Sequence, residues 1–378
     1  MSEREIAAIV LAAGMGTRMK SRIPKVLHPL AGRPMIAHLL ASVAAVGPTR
    51  TVVVVGPGMD AVAEAVAPAK TVVQDEALGT AHAVLAARAA LAGFDGDVLI
   101  LFGGDPLIPV EVMHILIDAR RAAPTPTVVV LGMRPDDPAG YGRLVTGKDG
   151  GLERIVEYRD ANAEERAAGL CNSGVMAVDG ARLFGLLDRV GNDNAKNEYY
   201  LTEIVALARA EGLGCAVVEG DAADLVGVDS RADLARAEAR VQQRLRRAAM
   251  DAGVTMIDPE SVFLAFDTSF GRDVVIEPNV VFGPGVSIGD DVRLRAFSHI
   301  EGATIAAGAA VGPFARIRPG TDLGENARVG NFVEVKNAVI EQGAKVNHLS
   351  YVGDSRVGAH ANVGAGTITC NYDGFTKS

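Results

Sequence analysis

The sequence predicts two folds in series, an α/β domain with a mostly parallel sheet over residues 1–230 and a parallel β-helix of hexapeptide repeats over 253–378, joined by a helical arm at 231–252. Three observations predict this. Through the first half, short β-branched runs that end in glycine or polar turns alternate with helix-like stretches, the pattern of a parallel sheet with crossover helices. Residues 231–250 then hold no Gly or Pro and are rich in Ala, Leu, Arg, Glu and Gln, good helix formers. Beyond about residue 255 aliphatic residues recur six apart.

The first strand is the apolar run Ala7-Ala8-Ile9-Val10-Leu11, which reads as buried on both faces. Further strands follow at Thr51–Val55, Thr71–Val73, Val98–Phe102 and Thr127–Leu131, each closed by a turn signal such as Gly56-Pro57-Gly58 or Gly103-Gly104-Asp105. Helices fall between them, among them alanine-rich Thr80 to Leu91 and Pro109 to Arg121, with proline at a first-turn position. Ligands of such sheets bind beyond the carboxyl ends of the strands, so the loops at 11–18, 74–80 and 102–106 are expected to converge.

The loop after the first strand carries Leu11-Ala12-Ala13-Gly14-Met15-Gly16-Thr17-Arg18, with Lys25 seven residues on. Glycines allow positive φ and close backbone approach, so successive amides can form an anion-binding nest. Arg18 and Lys25 supply charge, and the whole is suited to a nucleoside triphosphate. Gly-Lys-Ser/Thr is missing, and so is a third glycine at dinucleotide spacing, which argues against a P-loop ATPase and a dehydrogenase.

This loop, with Pro24-Lys25-Val26-Leu27, resembles the signature of the sugar-nucleotide pyrophosphorylases, in which a sugar 1-phosphate attacks the α-phosphorus of a nucleoside triphosphate. The resemblance implies a Rossmann-like nucleotidyltransferase domain with Arg18 and Lys25 as catalytic cations and Leu11, Ala12, Ala13, Gly14 and Lys25 at the nucleotide. Read alone, Gln74 is an exposed strand-end residue; in the resembled uridylyltransferases the matching Gln74, Gly79 and Thr80 contact uracil. Tyr141-Gly142-Arg143, Ile155-Val156-Glu157 and Cys171-Asn172-Ser173-Gly174 resemble the sugar-binding positions, with Gly142, Glu157 and Asn172 as the expected contacts. Lys196–Thr202 and Val226–Arg231 also match, although the family usually has asparagine where Asp229 stands.

The repeat runs through Ile276, Phe282, Ile288, Leu294 and Ile300, resumes after a five-residue step at Ile305, Val311, Ile317, Leu323, Val329 and Val335, and continues at Ile340, Val346, Val352, Val357 and Val363. Six helical steps of about 100° turn a side chain to the opposite face, so no α-helix keeps such a stripe on one side. A three-walled prism with one hexad per wall does, with Gly, Asn and Asp at its corners. Within it, Arg316-Ile317-Arg318-Pro319-Gly320, Val333–Lys336, Asn347–Tyr351, Ala361–Thr367 and Cys370-Asn371-Tyr372-Asp373-Gly374 resemble the acetyltransferase half of the bifunctional bacterial family of N-acetylglucosamine-1-phosphate uridylyltransferase and glucosamine-1-phosphate N-acetyltransferase. The resemblance covers nearly the whole chain and implies a left-handed, trimeric β-helix.

Acetyl transfer to an amine needs a base for the ammonium proton, and an imidazole, ordinarily titrating near about 6.5, suits that role. His348 is the candidate; Arg318 and Lys336 are cations for the sugar phosphate, Tyr351 and Asn362 hydrogen-bonding partners, and Asn371 matches a residue that orients the sugar. The implied reactants are glucosamine 1-phosphate and acetyl-CoA, then N-acetylglucosamine 1-phosphate and UTP with Mg²⁺. Two other readings stay open here: a monofunctional nucleotidylyltransferase whose β-helix only assembles it, and a binding protein with decayed sites.

Composition fits this reading. The 378 residues are 49% hydrophobic, with 43 Gly, 4% aromatic residues and no Trp, so small aliphatic residues must fill the cores. A net charge of −9 argues against a nucleic-acid or anionic-membrane partner. Three scattered cysteines with no C-x-x-C pair indicate neither a disulfide framework nor a zinc site and suit a cytoplasmic protein. No apolar run approaches the roughly 20 residues of a membrane span.

Two departures from the family set expectations. The family's strand ends aromatic-Gly-Asp-x-Pro-Leu, its aspartate sharing a Mg²⁺ with the asparagine after Gly-Val, whereas here Phe102-Gly103-Gly104-Asp105-Pro106-Leu107 moves the carboxylate on by one residue. The expectation is a metal site rebuilt from Asp105 and Asp229, with a decayed site as the competing outcome. The sequence also stops at Ser378 inside the repeats, where the family continues with coils that supply much of the acetyl-CoA site, so a shortened form with weak acetyl transfer is expected.

Overall fold

Each β-branched run of the first half is a strand in the computed structural model, which describes residues 4–138, 140–148, 150–225, 227–370 and 374–375. The strands are β1 (Ile6–Leu11), β2 (Arg50–Val55), β3 (Lys70–Val73), β4 (Asp97–Phe102), β5 (Val128–Met133), β6 (Arg143–Thr146), β7 (Leu152–Val156), β8 (Cys171–Asp179) and β9 (Cys215–Glu219). They form one sheet in the order β9-β5-β8-β4-β1-β2-β3, with β6 joined to β8 and β7. β1, β2, β3 and β4 are mutually parallel, and only β8 and the β6–β7 pair run antiparallel to their neighbours.

Register decides where the loops emerge. Leu11 pairs with both Val54 and Phe102, and Val55 pairs with Val73, so the chain leaves β1, β3 and β4 at the same edge. The central strands are buried on both sides because they are apolar at nearly every position: in β1, Ala7 and Ile9 join one core, and Ala8 and Val10 the other. Helix α1 (Met35–Val46) covers the second face with Ile36, Leu39 and Val43; α2 (Thr80–Ala86) covers the first with Ala81, Ala83 and Val84. α2 is shorter than the sequence suggests, passing into a 3₁₀ turn at Arg88–Leu91. Pro109 caps α3 (Val110–Arg121) from an extended conformation and so sits one place before the first helical residue. At the opposite edge, buried Asp97 lies among Arg4, Arg120 and Arg121, and Arg120 also reaches Asp179 at 2.9 Å.

The chain divides into two units, residues 1–29 with 34–235, and residues 30–33 with 236–378, the boundary falling within α4 (Arg231–Asp251). The second unit is a prism of three parallel sheets with seven, six and five short strands. Its inward positions are those of the six-residue series: Ile276 through Val352 are buried, and Val357 and Val363 pack partly against the same core. Paired residues in successive coils are 18 apart, as in Val275 with Arg293, or 17 apart, as in Ile288 with Ile305. The five-residue steps therefore shorten a corner and keep the register. Many corners take left-handed backbone, which Asn279 (φ 62°) and Asn326 (φ 58°) tolerate well.

Candidate active sites

In the first unit, Leu11, Ala12, Ala13, Gly14, Gln74, Gly79, Thr80, Phe102 and Gly104 line one pocket of about 290 Å³, together with Lys25 and Glu198. The loops expected to converge do so. Gly16 takes the left-handed conformation at φ 70°, and any Cβ there would stand 2.5 Å from Cβ of Lys25. Gly14 has no such backbone; a Cβ at Gly14 meets nothing within 4 Å, so its value is open space for a ligand.

The two cations share one carboxylate: Lys25 Nζ and Arg18 Nη2 each lie 2.8 Å from an oxygen of Asp229. Lys25 is largely covered, whereas the side chain of Arg18 is 71% exposed. Asp229 is held in turn, because Asp233 at the start of α4 accepts from the amides of Asp229 and Ser230. Arg231 donates to the carbonyl of Met19 at 3.2 Å and so ties the Arg18 loop to the same helix. Gly104 lets the ammonium in, since a Cβ there would be 2.5 Å from Lys25 Nζ. Asp105 is buried beside Gly227, and its carboxyl is pushed up to about 7, chiefly by burial, with Lys25 opposing and Asp229 adding to the shift. Among the described residues no three His, Cys, Asp or Glu side chains are arranged to hold a metal ion.

Gln74 is buried, and its amide nitrogen donates to the Gly79 carbonyl at 3.1 Å and meets His82 Nδ1 at 3.2 Å. The three sugar-site candidates fall together: the amide of Asn172 donates to the Gly142 carbonyl, and Glu157 accepts from Thr202 at 3.4 Å. A further bond from the Leu201 amide to Thr80 Oγ1 links this group to the pocket rim. Burial raises the pKa of Glu157, opposed by Lys196 and by the Thr202 hydrogen bond. Glu198 also lines the pocket, a carboxylate that the resemblance of Lys196–Thr202 does not single out.

In the second unit, His348 and Asn362 lie on the seven-stranded wall, and Arg318, Lys336 and Tyr351 on or beside the strands of the five-stranded wall. Lys345 pairs with Asn362 in the ladder, placing Asn362 one coil beyond the His348 strand. Arg318 bonds Glu334 at 2.8 Å and Lys336 reaches Asp354 at 3.4 Å. The ring of Tyr351 lies across Gly353, where a Cβ would be 2.2 Å from the phenol oxygen. His348 is exposed in a groove of about 540 Å³ that also holds Arg293, Arg295, Arg328, Asn331 and Asn347. Between the two walls runs a corner carrying Phe297, Phe314 and Phe332, stacked at 4.9 and 5.2 Å, and then Leu349. Asn371 lies outside the described residues.

Comparison with known proteins agrees with both halves. Residues 8–161 match the MobA-like NTP transferase domain, and residues 267–302 the bacterial transferase hexapeptide (six repeats). The chain is 61% identical over 378 residues to "Bifunctional protein GlmU" of Paramagnetospirillum magneticum, covering all of this chain and 84% of that protein. It is 66% identical over 371 residues to the protein of the same name from Rhodospirillum rubrum, covering 98% of this chain and 83% of that one. A crystal structure of UDP-glucose pyrophosphorylase complexed with UDP-glucose shares the fold at TM-score 0.53 and 16% identity, over 64% of this chain and 99% of that chain.

Proposed function

The chain belongs to the GlmU family of bifunctional enzymes, and we propose that its α/β half and its left-handed β-helix divide the two activities between them. It acetylates glucosamine 1-phosphate from acetyl-CoA, then transfers uridylyl from UTP to N-acetylglucosamine 1-phosphate to make UDP-N-acetylglucosamine and pyrophosphate. Residues 1–230 form the uridylyltransferase, 231–252 the arm and 253–378 the acetyltransferase.

In the first half, Leu11–Gly14 cradle the triphosphate, Gln74, Gly79 and Thr80 hold the base, and Gly142, Glu157 and Asn172 hold the sugar. A sugar phosphate oxygen attacks the α-phosphorus in line, and Lys25 with Arg18 neutralises the charge that passes to the leaving pyrophosphate. The convergence of three strand-end loops around Lys25 carries this reading. Asp229 holds both ammonium and guanidinium in place before the nucleotide arrives.

The family's nucleotidyltransferase chemistry implies a divalent metal. Asp105 and Asp229 fit a hard cation: both offer oxygens, and their mutual repulsion is part of what raises the Asp105 pKa. When bound there, Mg²⁺ would neutralise phosphate charge, with substrate oxygens completing its shell.

In the β-helix, Nε2 of His348 takes the proton of the substrate ammonium, the freed amine attacks the thioester carbonyl, and collapse forms the amide and expels the CoA thiolate, which takes up the second proton the nitrogen sheds and leaves as the thiol. Arg318 and Lys336 hold the sugar phosphate; Tyr351, Asn362 and Asn371 orient the sugar and acetyl groups. His348 and Asn362 face away from the wall of Arg318, Lys336 and Tyr351 across the phenylalanine corner, which supports a homotrimer whose copies meet there. No helix among the described residues is long and apolar enough to cross a membrane; the proposed UTP and acetyl-CoA substrates support a cytoplasmic enzyme.

The test is to give the purified chain UTP, Mg²⁺ and N-acetylglucosamine 1-phosphate, and separately glucosamine 1-phosphate and acetyl-CoA. Pyrophosphate release in the first and thiol release in the second are expected. Failure of Mg²⁺-dependent turnover in the first, when Gly104→Asp with Asp105→Val restores it, would show the rebuilt metal site to be wrong.

A further inference from the structure

The ladder of the seven-stranded wall sets Asn331 beside His348, one coil apart in register. Their side chains meet at 2.9 Å between Asn331 Oδ1 and His348 Nδ1. Both backbones are pinned locally: the Leu349 amide donates to the Asn331 carbonyl at 3.1 Å, and Ser350 Oγ donates to the His348 carbonyl at 2.7 Å. The His348 side chain is exposed in its groove, so packing alone does not orient the ring. The amide is the group that does.

We propose that Asn331 is a positioning residue for acetyl transfer: its carbonyl oxygen accepts from Nδ1–H of His348 and so holds the neutral imidazole in the tautomer whose Nε2 lone pair is free for the substrate ammonium. This rests on the reading of His348 as the base. Which ring nitrogen of a histidine carries the proton is set by the hydrogen bond the other makes. An amide oxygen achieves that without a charge, whereas a carboxylate in its place would favour imidazolium and weaken the base at neutral pH. The other charged groups of the groove are Asp291, Arg293, Arg295 and Arg328, and Lys345 shares the His348 strand. Asn331 is the group that meets the ring itself.

The experiment is nitrogen-15 imidazole NMR on the full chain, with His348 assigned by its disappearance in His348→Gln, alongside acetyl-transfer kinetics. In the unsubstituted chain the neutral ring is expected as the Nδ1–H form. Asn331→Leu should shift it to the Nε2–H form and lower kcat by about tenfold or more with little change in KM. Asn331→Asp should keep the tautomer and move the acid limb of kcat up by about one pH unit. A neutral ring already in the Nε2–H form, or a tautomer unmoved by Asn331→Leu, overturns the proposal while leaving the base assignment intact. Full acetyl transfer in His348→Gln overturns the base assignment itself and the proposal with it.

Discussion

Lys25 and Arg18 share a carboxylate but stand in different surroundings, so their loss should not be equal. Lys25→Ala removes the covered ammonium and should lower uridylyl kcat/KM by about 10²-fold or more; Arg18→Ala, on an exposed side chain, should cost less. Acetyl transfer and assembly should be unchanged in both, and loss of both activities together would mean that these residues hold the fold. Glu157 offers a pH test. Burial raises its pKa, so its ability to accept from a sugar hydroxyl is lost as pH falls through that raised value, earlier than for an ordinary glutamate. KM for N-acetylglucosamine 1-phosphate should rise on the acid side, and Glu157→Gln should flatten that limb. The linked stability term has the opposite direction: it is fully present below the unfolded carboxylate pKa and is lost as pH rises through the folded one. Among the thiols, burial raises both Cys171 and Cys215, the latter to about 11, while Cys370 is exposed. A thiol reagent should therefore modify Cys370 in the native chain and the other two only on unfolding.

At the scale of the element, the two halves store stability differently. Each wall of a coil buries one large residue of the six-residue series beside a second core position two residues earlier, as Ile317 with Ala315, so Ile317→Ala leaves a cavity in the stack and should cost about 2–5 kcal/mol in denaturant unfolding. The sheet of the first half has a charged weak point instead. Asp97 is fully buried among three arginines, and Asp97→Ala would leave Arg120, itself buried, without that partner, at a cost of about 3–5 kcal/mol. Element type was legible from β-branched runs and hexad spacing, because both are local patterns. Ends were less so: α2 stops at Ala86 in a run of helix formers that continues. Nothing in that composition marks the change to a 3₁₀ turn.

For the whole molecule, the proposed homotrimer is tested at the phenylalanine corner. Phe297, Phe314 and Phe332 hold left-handed backbone at φ 54–59° while 47–57% exposed, a poor arrangement for a bulky residue in water. Phe314→Asn with Phe332→Asn keeps residues that tolerate that backbone and removes the apolar seam. Sedimentation should then show the assembly dissociated, with uridylyl transfer retained and acetyl transfer reduced. An undisturbed assembly would place the contact between copies elsewhere on the prism.

The sequence by itself determined the two folds, the glycine-rich loop after the first strand and the wall periodicity, because apolar runs, glycine positions and six-residue spacing act over neighbours along the chain. It also named most residues that line the pocket of the first unit, since these sit at strand ends where a parallel sheet binds its ligands. Tertiary structure decided the pairings between side chains. That Asp229 bridges Lys25 and Arg18 across some 200 positions depends on how the start of α4 meets the glycine loop. That Asn331 faces His348 depends on a coil of 17 residues at that place and not 18, a count set by how corners close. Such contacts follow from register and closure of the whole fold, which no local preference of the chain encodes.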